Sequence, residues 1–151
     1  MKPARKQRTF DIVVYNLKLE PVTTITAALT FNEQDGNYQG KVPLLGVSSG
    51  QYQFSIKTTN TLRKLIQGAF EVQTSAETKL PPVSLTVGDI NSDNRISAID
   101  YSLLLDCYSD LTQARNCNSE RKTQSDLNDD TLVNFIDYNL FIRELSVQSG
   151  Q

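Results

Sequence analysis

The chain contains no histidine and no tryptophan, and only 8% of its 151 residues are aromatic. Without histidine there are no imidazole metal sites, no His-based triads and none of the commonest general acid/base side chain, so we expect no enzyme. Apolar residues are also scarce, at 38%, against a globular norm of about 45–50% with glycine included. A chain about one ordinary domain in length with so few of them has a modest core or a divided one. Long hydrophobic runs are missing too, and nothing approaches the roughly 18 apolar residues of a membrane span. The run behind the basic start, Thr9-Phe-Asp-Ile-Val-Val-Tyr-Asn16, is short and is broken by Asp11, unlike an export segment. We therefore expect a soluble piece of a longer chain, monomeric when isolated, with no membrane insertion and no nucleic-acid partner.

The formal charge of -2 conceals an asymmetry. Residues 1–87 carry ten Lys/Arg and six Asp/Glu, net +4, whereas residues 88–151 carry five Lys/Arg and eleven Asp/Glu, net -6. So many carboxylates in a short segment either keep it unfolded by self-repulsion or are neutralised by bound cations.

The first half alternates with a period of two. Ile25, Ala27, Leu29 and Phe31 share one strand face, and the pattern returns in Tyr52, Phe54 and Ile56 and in Val83, Leu85 and Val87. Turn chemistry separates these runs: Asp35-Gly36-Asn37, Ser48-Ser49-Gly50 and Pro81-Pro82. A further strand is expected over Phe10–Leu19 with a bulge near Val13, while Thr61–Ile66 reads equally as strand or helical turn. The expected fold is an all-β sandwich over 9–87, behind a disordered basic tail at 1–8. The stretch Val42–Lys57 resembles one strand pair of prealbumin-like sandwiches, including carboxypeptidase regulatory-like domains. Tyr38, Tyr52 and Phe54 could form a sugar-stacking platform, but aromatics on alternating strand positions are expected first as core residues.

The second half repeats itself. DINSDNRISAIDYSLLLDCY from Asp89 and DLNDDTLVNFIDYNLFIREL from Asp126 align at an offset of 37, identical at Asp89/Asp126, Asn91/Asn128, Asp93/Asp130, Ile99/Ile136, Asp100/Asp137, Tyr101/Tyr138 and Leu103/Leu140. The identities fall on oxygen-bearing side chains and on one helix face. A hard cation such as Ca²⁺ takes about six to eight oxygens, and a twelve-residue loop supplies them from positions 1, 3, 5, 7, 9 and 12. Loop one offers Asp89, Asn91, Asp93, the carbonyl of Arg95, Ser97 (through a water) and Asp100. Loop two offers Asp126, Asn128, Asp130, the carbonyl of Leu132, Asn134 and Asp137. Ile96 and Val133, at position 8, are expected to face the core. Each loop runs into an apolar-periodic helix, Ile99-Leu103-Leu104-Cys107-Tyr108 and Ile136-Leu140-Phe141-Leu145. Acidic helix N-caps would explain Asp100 and Asp137 but not the upstream residues. Two Ca²⁺ ions are therefore expected.

With those residues in place, Gly88 to about Val147 resembles the dockerin modules of secreted bacterial proteins, which carry two calcium-loop-plus-helix repeats and close each loop with Asp. The resemblance implies a small all-α module over 88–147, followed by a tail at 148–151. It also implies a cohesin-like domain as partner, and a secreted or cell-surface setting in a cellulosome-like assembly. Two departures stand out: Asn94 and Thr131 replace the family's usual glycine at loop position 6, and the segment between the repeats is longer and more polar. In the family, positions 10 and 11 and the following helix face contribute to partner choice. Here those positions are Ala98-Ile99 and Phe135-Ile136, with Leu105/Ile142 and Asp106/Arg143 farther along. Ile99 and Ile136 are expected first as core residues of the module, and Phe135 equally as core or as part of that face. An apolar recognition face next to a β-sandwich resembles X-module–dockerin dyads.

Cys107 and Cys117 suit a small disulfide loop or two reduced thiols by spacing alone; the calcium reading favours the disulfide. Val83–Val87 runs into Gly88 without a spacer, so the halves are expected to abut. The leading expectation is a calcium-dependent interaction module that anchors a larger protein. The alternatives are a calcium- and disulfide-clamped stalk or a carbohydrate-binding sandwich with an appended calcium module.

Overall fold

The computed structural model describes residues 3–110, 112, 114 and 116–147. The expected tail at 148–151 lies outside them. The chain divides into two units: one holds Gln7–Thr58 and Arg63–Leu85, and the other is assembled from Met1–Lys6, Thr59–Leu62 and Thr86–Gln151.

The first unit is one antiparallel sheet built from β1 (Gln7–Tyr15), β2 (Pro21–Asn32), β3 (Asn37–Gln39), β4 (Gly50–Thr58) and β6 (Lys64–Val72), in the order β3-β2-β1-β4-β6. The intervening β5 (Asn60–Thr61) belongs to the other unit. Period-2 alternation sets the register. Ile12 lies opposite Ile25 on one side and Ile56 on the other, and Phe54 lies opposite both Val14 and Ile66. All of them therefore stand on one face, which buries Ile12, Val14, Phe54, Ile66 and Val72. The β2–β3 turn is tied by the Asn32 side chain, whose Oδ1 accepts from the N–H groups of Gln34 and Asp35.

A second sheet, which a sandwich requires, is not present among this unit's described residues. Val42, Leu44, Val47, Leu80 and Val83 from non-strand segments cover the apolar face instead. Prolines at 43, 81 and 82 withhold the ladder donors a second sheet would need. Of the alternating run Val83–Val87, only Val87 enters a strand, β7 (Val87–Asp89). The bulge expected near Val13 falls between Val14 and Tyr15, and Thr61–Ile66 resolves into the end of β5 and the start of β6.

In the second unit, β5 pairs antiparallel with β7, Asn60 opposite Asp89 and Thr61 opposite Val87, and the N–H of Leu62 donates to Thr86 O at 2.8 Å. Three helices follow: α1 (Ala98–Cys107), α2 (Ser119–Ser125) and α3 (Phe135–Val147). α1 begins in a capping box, the Ser97 hydroxyl accepting from the helix while the Asp100 carboxylate accepts from the Ser97 N–H. Ile90, Ile96, Leu104, Cys107, Leu127, Val133 and Phe141 form the core. Gly88 is needed for it to close: its φ is +121°, and a Cβ there would come within 3.2 Å of Ile96 and 3.4 Å of Phe141. Cys107 and Cys117 form a disulfide with Cα atoms 4.8 Å apart, joining the end of α1 to the approach to α2.

Residues 3–6 are not the disordered tail expected. The N–H of Ala4 donates to Asp129 O at 2.7 Å, and Arg5 pairs with the Asp129 carboxylate. A buried carboxylate 124 residues away anchors the chain start through a charge-assisted bond, which a local pattern cannot show.

Candidate metal centre

The two acidic loops share a hydrogen-bond pattern as well as a sequence. In each, the closing aspartate is fully buried and its Oδ1 accepts from the N–H groups of positions 2 and 3. Asp100 takes Ile90 at 2.8 Å and Asn91 at 3.1 Å; Asp137 takes Leu127 at 2.7 Å and Asn128 at 3.2 Å. The other oxygen accepts from the N–H of position 9, Ser97 or Asn134, at 2.9 Å. The opening aspartate accepts from the N–H of position 6: Asp89 from Asn94 at 3.0 Å, Asp126 from Thr131 at 2.9 Å. The Asn91 and Asn128 carbonyls accept from the N–H groups of Asp93 and Asp130, which in turn accept from those of Arg95 and Leu132.

This wiring explains the backbone. Positions 4 and 6 are left-handed in both copies, with φ of +65° and +66° at Ser92 and Asn94 and +60° and +78° at Asp129 and Thr131. Aspartate and asparagine tolerate that region, whereas β-branched Thr131 is strained in it. Ile96 and Val133, at position 8, are buried as expected, while Arg95 and Leu132 are exposed.

Electrostatically the sites are dominated by buried carboxylates. Burial pushes the Asp137 carboxyl above its ordinary value against the pull of three backbone amides, and Asp126 beside it adds to the rise. Burial likewise raises Asp126, with Asp129 adding and Arg5 opposing. Buried carboxylates are normally paired or bound to a metal. The donor set is entirely oxygen, which suits a hard cation. Among the described residues no three His, Cys, Asp or Glu side chains form a metal cluster. Asp93 and Asp130 are turned onto the Asn91 and Asn128 amides, 2.8 Å away in each loop. Asparagine and main-chain carbonyls would supply the remaining ligands, so the residues present fit a calcium ion by their chemistry.

Residues 87–146 match the family model of the dockerin type I domain. That region spans both loops, all three helices and the disulfide. Dockerin domains bind calcium and bind cohesin domains, so the match supports a calcium-dependent protein-interaction module in this part of the chain. No curated protein and no solved structure matches the chain.

On the helix surfaces of the matched region, Ile99, Leu105, Phe135 and Ile142 are exposed, as are Ala98 and Arg143. Ile99 is 59% exposed, which overturns the reading of that residue as core, whereas Ile136 is half-buried. Phe135, Ile136 and Arg143 line one shallow depression together with Asn139 and Leu140. Asp106 pairs with Arg121 of α2 at 3.4 Å.

Sequence reasoning missed three residues of the region: Arg5, Asn60 and Asp129. Only Asp129 left a trace, as a carboxylate where loop one has Ser92. Of the proposed sugar platform, Tyr38 packs between Phe10 and Phe31 with the Arg8 guanidinium over its ring. The Tyr52 hydroxyl donates to Ser48 O. No helix among the described residues is long and apolar enough to cross a membrane.

Proposed function

We propose that this chain anchors a larger secreted or cell-surface polypeptide to a cohesin-bearing partner, through a dockerin region whose two loops each bind one Ca²⁺. The observation that carries the reading is the duplicated wiring: two loops 37 residues apart share their oxygen-bearing side chains and their hydrogen bonds. The ligands are Asp89, Asn91, Asp93, Arg95 O, Ser97 and Asp100 in loop one and Asp126, Asn128, Asp130, Leu132 O, Asn134 and Asp137 in loop two. Each ion offsets the mutual repulsion of buried carboxylates and fixes the N-terminus of the helix that follows. The exposed apolar side chains of α1 and α3 then form the docking face: Ala98, Ile99 and Leu105 with Asp106, and Phe135, Ile136 and Ile142 with Arg143. With no histidine in the chain, the role is binding rather than catalysis.

The test is a calorimetric titration of the full chain followed by surface plasmon resonance against a panel of cohesins, with calcium and with EDTA. Two bound ions and calcium-dependent capture by a cohesin support the proposal. Two ions without capture by any cohesin leave a calcium- and disulfide-clamped stalk, and no bound calcium removes both readings.

A further inference from the structure

Loop two has a guanidinium seated on its carboxylates. At position 4, loop one carries neutral Ser92 and loop two carries Asp129, on backbones of the same left-handed conformation. Asp129 is 3% exposed, and its carboxylate accepts from the main-chain N–H of Arg5 at 3.3 Å and from the guanidinium Nε. The same guanidinium reaches the Asp126 carboxylate, the position-1 ligand, at 3.9 Å and donates to Thr123 O at 3.5 Å. The Ala4 N–H to Asp129 O bond fixes the strap that carries it. Both carboxylates are almost wholly buried, while the Arg5 side chain is one-third exposed.

We infer that Arg5 is a built-in counter-charge for loop two: it holds the loop in its calcium-binding shape without the ion, and it opposes the ion when calcium arrives. This rests on the calcium reading above. A guanidinium on Asp129 and Asp126 supplies in the calcium-free protein part of the neutralisation that a bound ion would otherwise bring to loop two. The same positive charge repels a dication seated on Asp126. Through a screened, partly solvated path, one such charge changes affinity by a few-fold to about tenfold. Loop two is thereby preformed and binds calcium more weakly than it would without Arg5, and position 4 together with residue 5 sets that balance.

The test uses the full chain with amide NMR shifts of 90–95 and 127–132 followed separately through a calcium titration, and with melting of the calcium-free protein. In Arg5→Gln, loop two should bind calcium a few-fold to about tenfold more tightly at low salt, with a smaller gain at high ionic strength. Loop one should be unchanged and the calcium-free melting temperature should fall. Arg5→Lys should restore most of both properties, and Arg5→Gln with Asp129→Asn, which removes both charges, should return loop-two affinity towards the parent value. If loop two in Arg5→Gln binds calcium no more tightly, or more weakly, Arg5 is only a structural tie and the inference fails while the calcium reading stands. If the unmodified chain binds no calcium in either loop, both fail.

Discussion

Asn60 donates its side-chain amide to the main-chain carbonyl of Asp126 at 3.1 Å, while its own main chain is the strand partner of Asp89. One residue from the link between β4 and β6 therefore touches position 1 of both loops. It is buried at 1% exposure with φ +59°, a conformation that asparagine tolerates and alanine does not. Asn60→Ala leaves the Asp126 carbonyl without this donor, at a cost of about 1–3 kcal/mol, and adds about 1 kcal/mol or more of backbone strain. Asn60→Gly relieves the strain and isolates the hydrogen bond. Urea unfolding of the full chain in calcium should rank the parent above Gly and Gly above Ala; equal midpoints would deny Asn60 this role.

Thr131 is the strained member of the loop-two wiring, β-branched at φ +78°. Thr131→Gly should stabilise the protein by about 1 kcal/mol, because glycine adopts that conformation freely. Part of the gain is lost to the more flexible unfolded chain. Asn94→Gly, at φ +66° but with a tolerant residue in place, should change stability less. Thermal melts of the two variants check the order.

Much of the loop architecture was legible in the sequence because its determinants are local. Twelve consecutive residues carry each set of oxygen-bearing side chains, and the helix periodicity begins where the loop ends. α2 was not legible: SERKTQS is polar all round, shows no apolar stripe, and is a helix here with the Asn118 side chain accepting from the Arg121 N–H at its start. The strands of the first unit were legible from alternation, but their layering was not, since alternation says that a face is covered and not by what. Arg5 and Asn60 were invisible for a related reason. Their partners lie 124 and 66 residues away, and nothing in a basic start or a Thr-Thr-Asn-Thr turn encodes them.

Acid should protect the calcium-free protein. The Asp126 and Asp137 carboxyls titrate above their ordinary value, chiefly because they are buried, so the folded state holds those protons more tightly than the unfolded state. Their contribution to stability is then largest below the ordinary carboxylate range and is lost as pH rises through the raised values. Calcium competes with the same protons, so its affinity should climb with pH over that window. Melting temperature against pH, with and without calcium, checks both signs. Asp137→Asn should flatten the calcium-free profile, and a calcium-free protein that gains stability through this window would contradict the assignment.

Reduction should cost the helical unit more than an exposed disulfide would suggest, because Cys107 is also a buried core residue. Closing a ten-residue span restricts the unfolded chain by about 2–3 kcal/mol. Melting of the calcium-free chain with and without a phosphine reductant should show the loss, and the Cys107→Ala, Cys117→Ala double variant should exceed it by the missing core contact.

The strap at Ala4 and Arg5 also sets an order of events in synthesis. Its partner at Asp129 lies 124 residues farther along the chain, so the strap can dock only after the intervening segment has been synthesised. Closing so long a loop is entropically slow. Loop two thus acquires its counter-charge only when a segment made more than a hundred residues earlier returns to it.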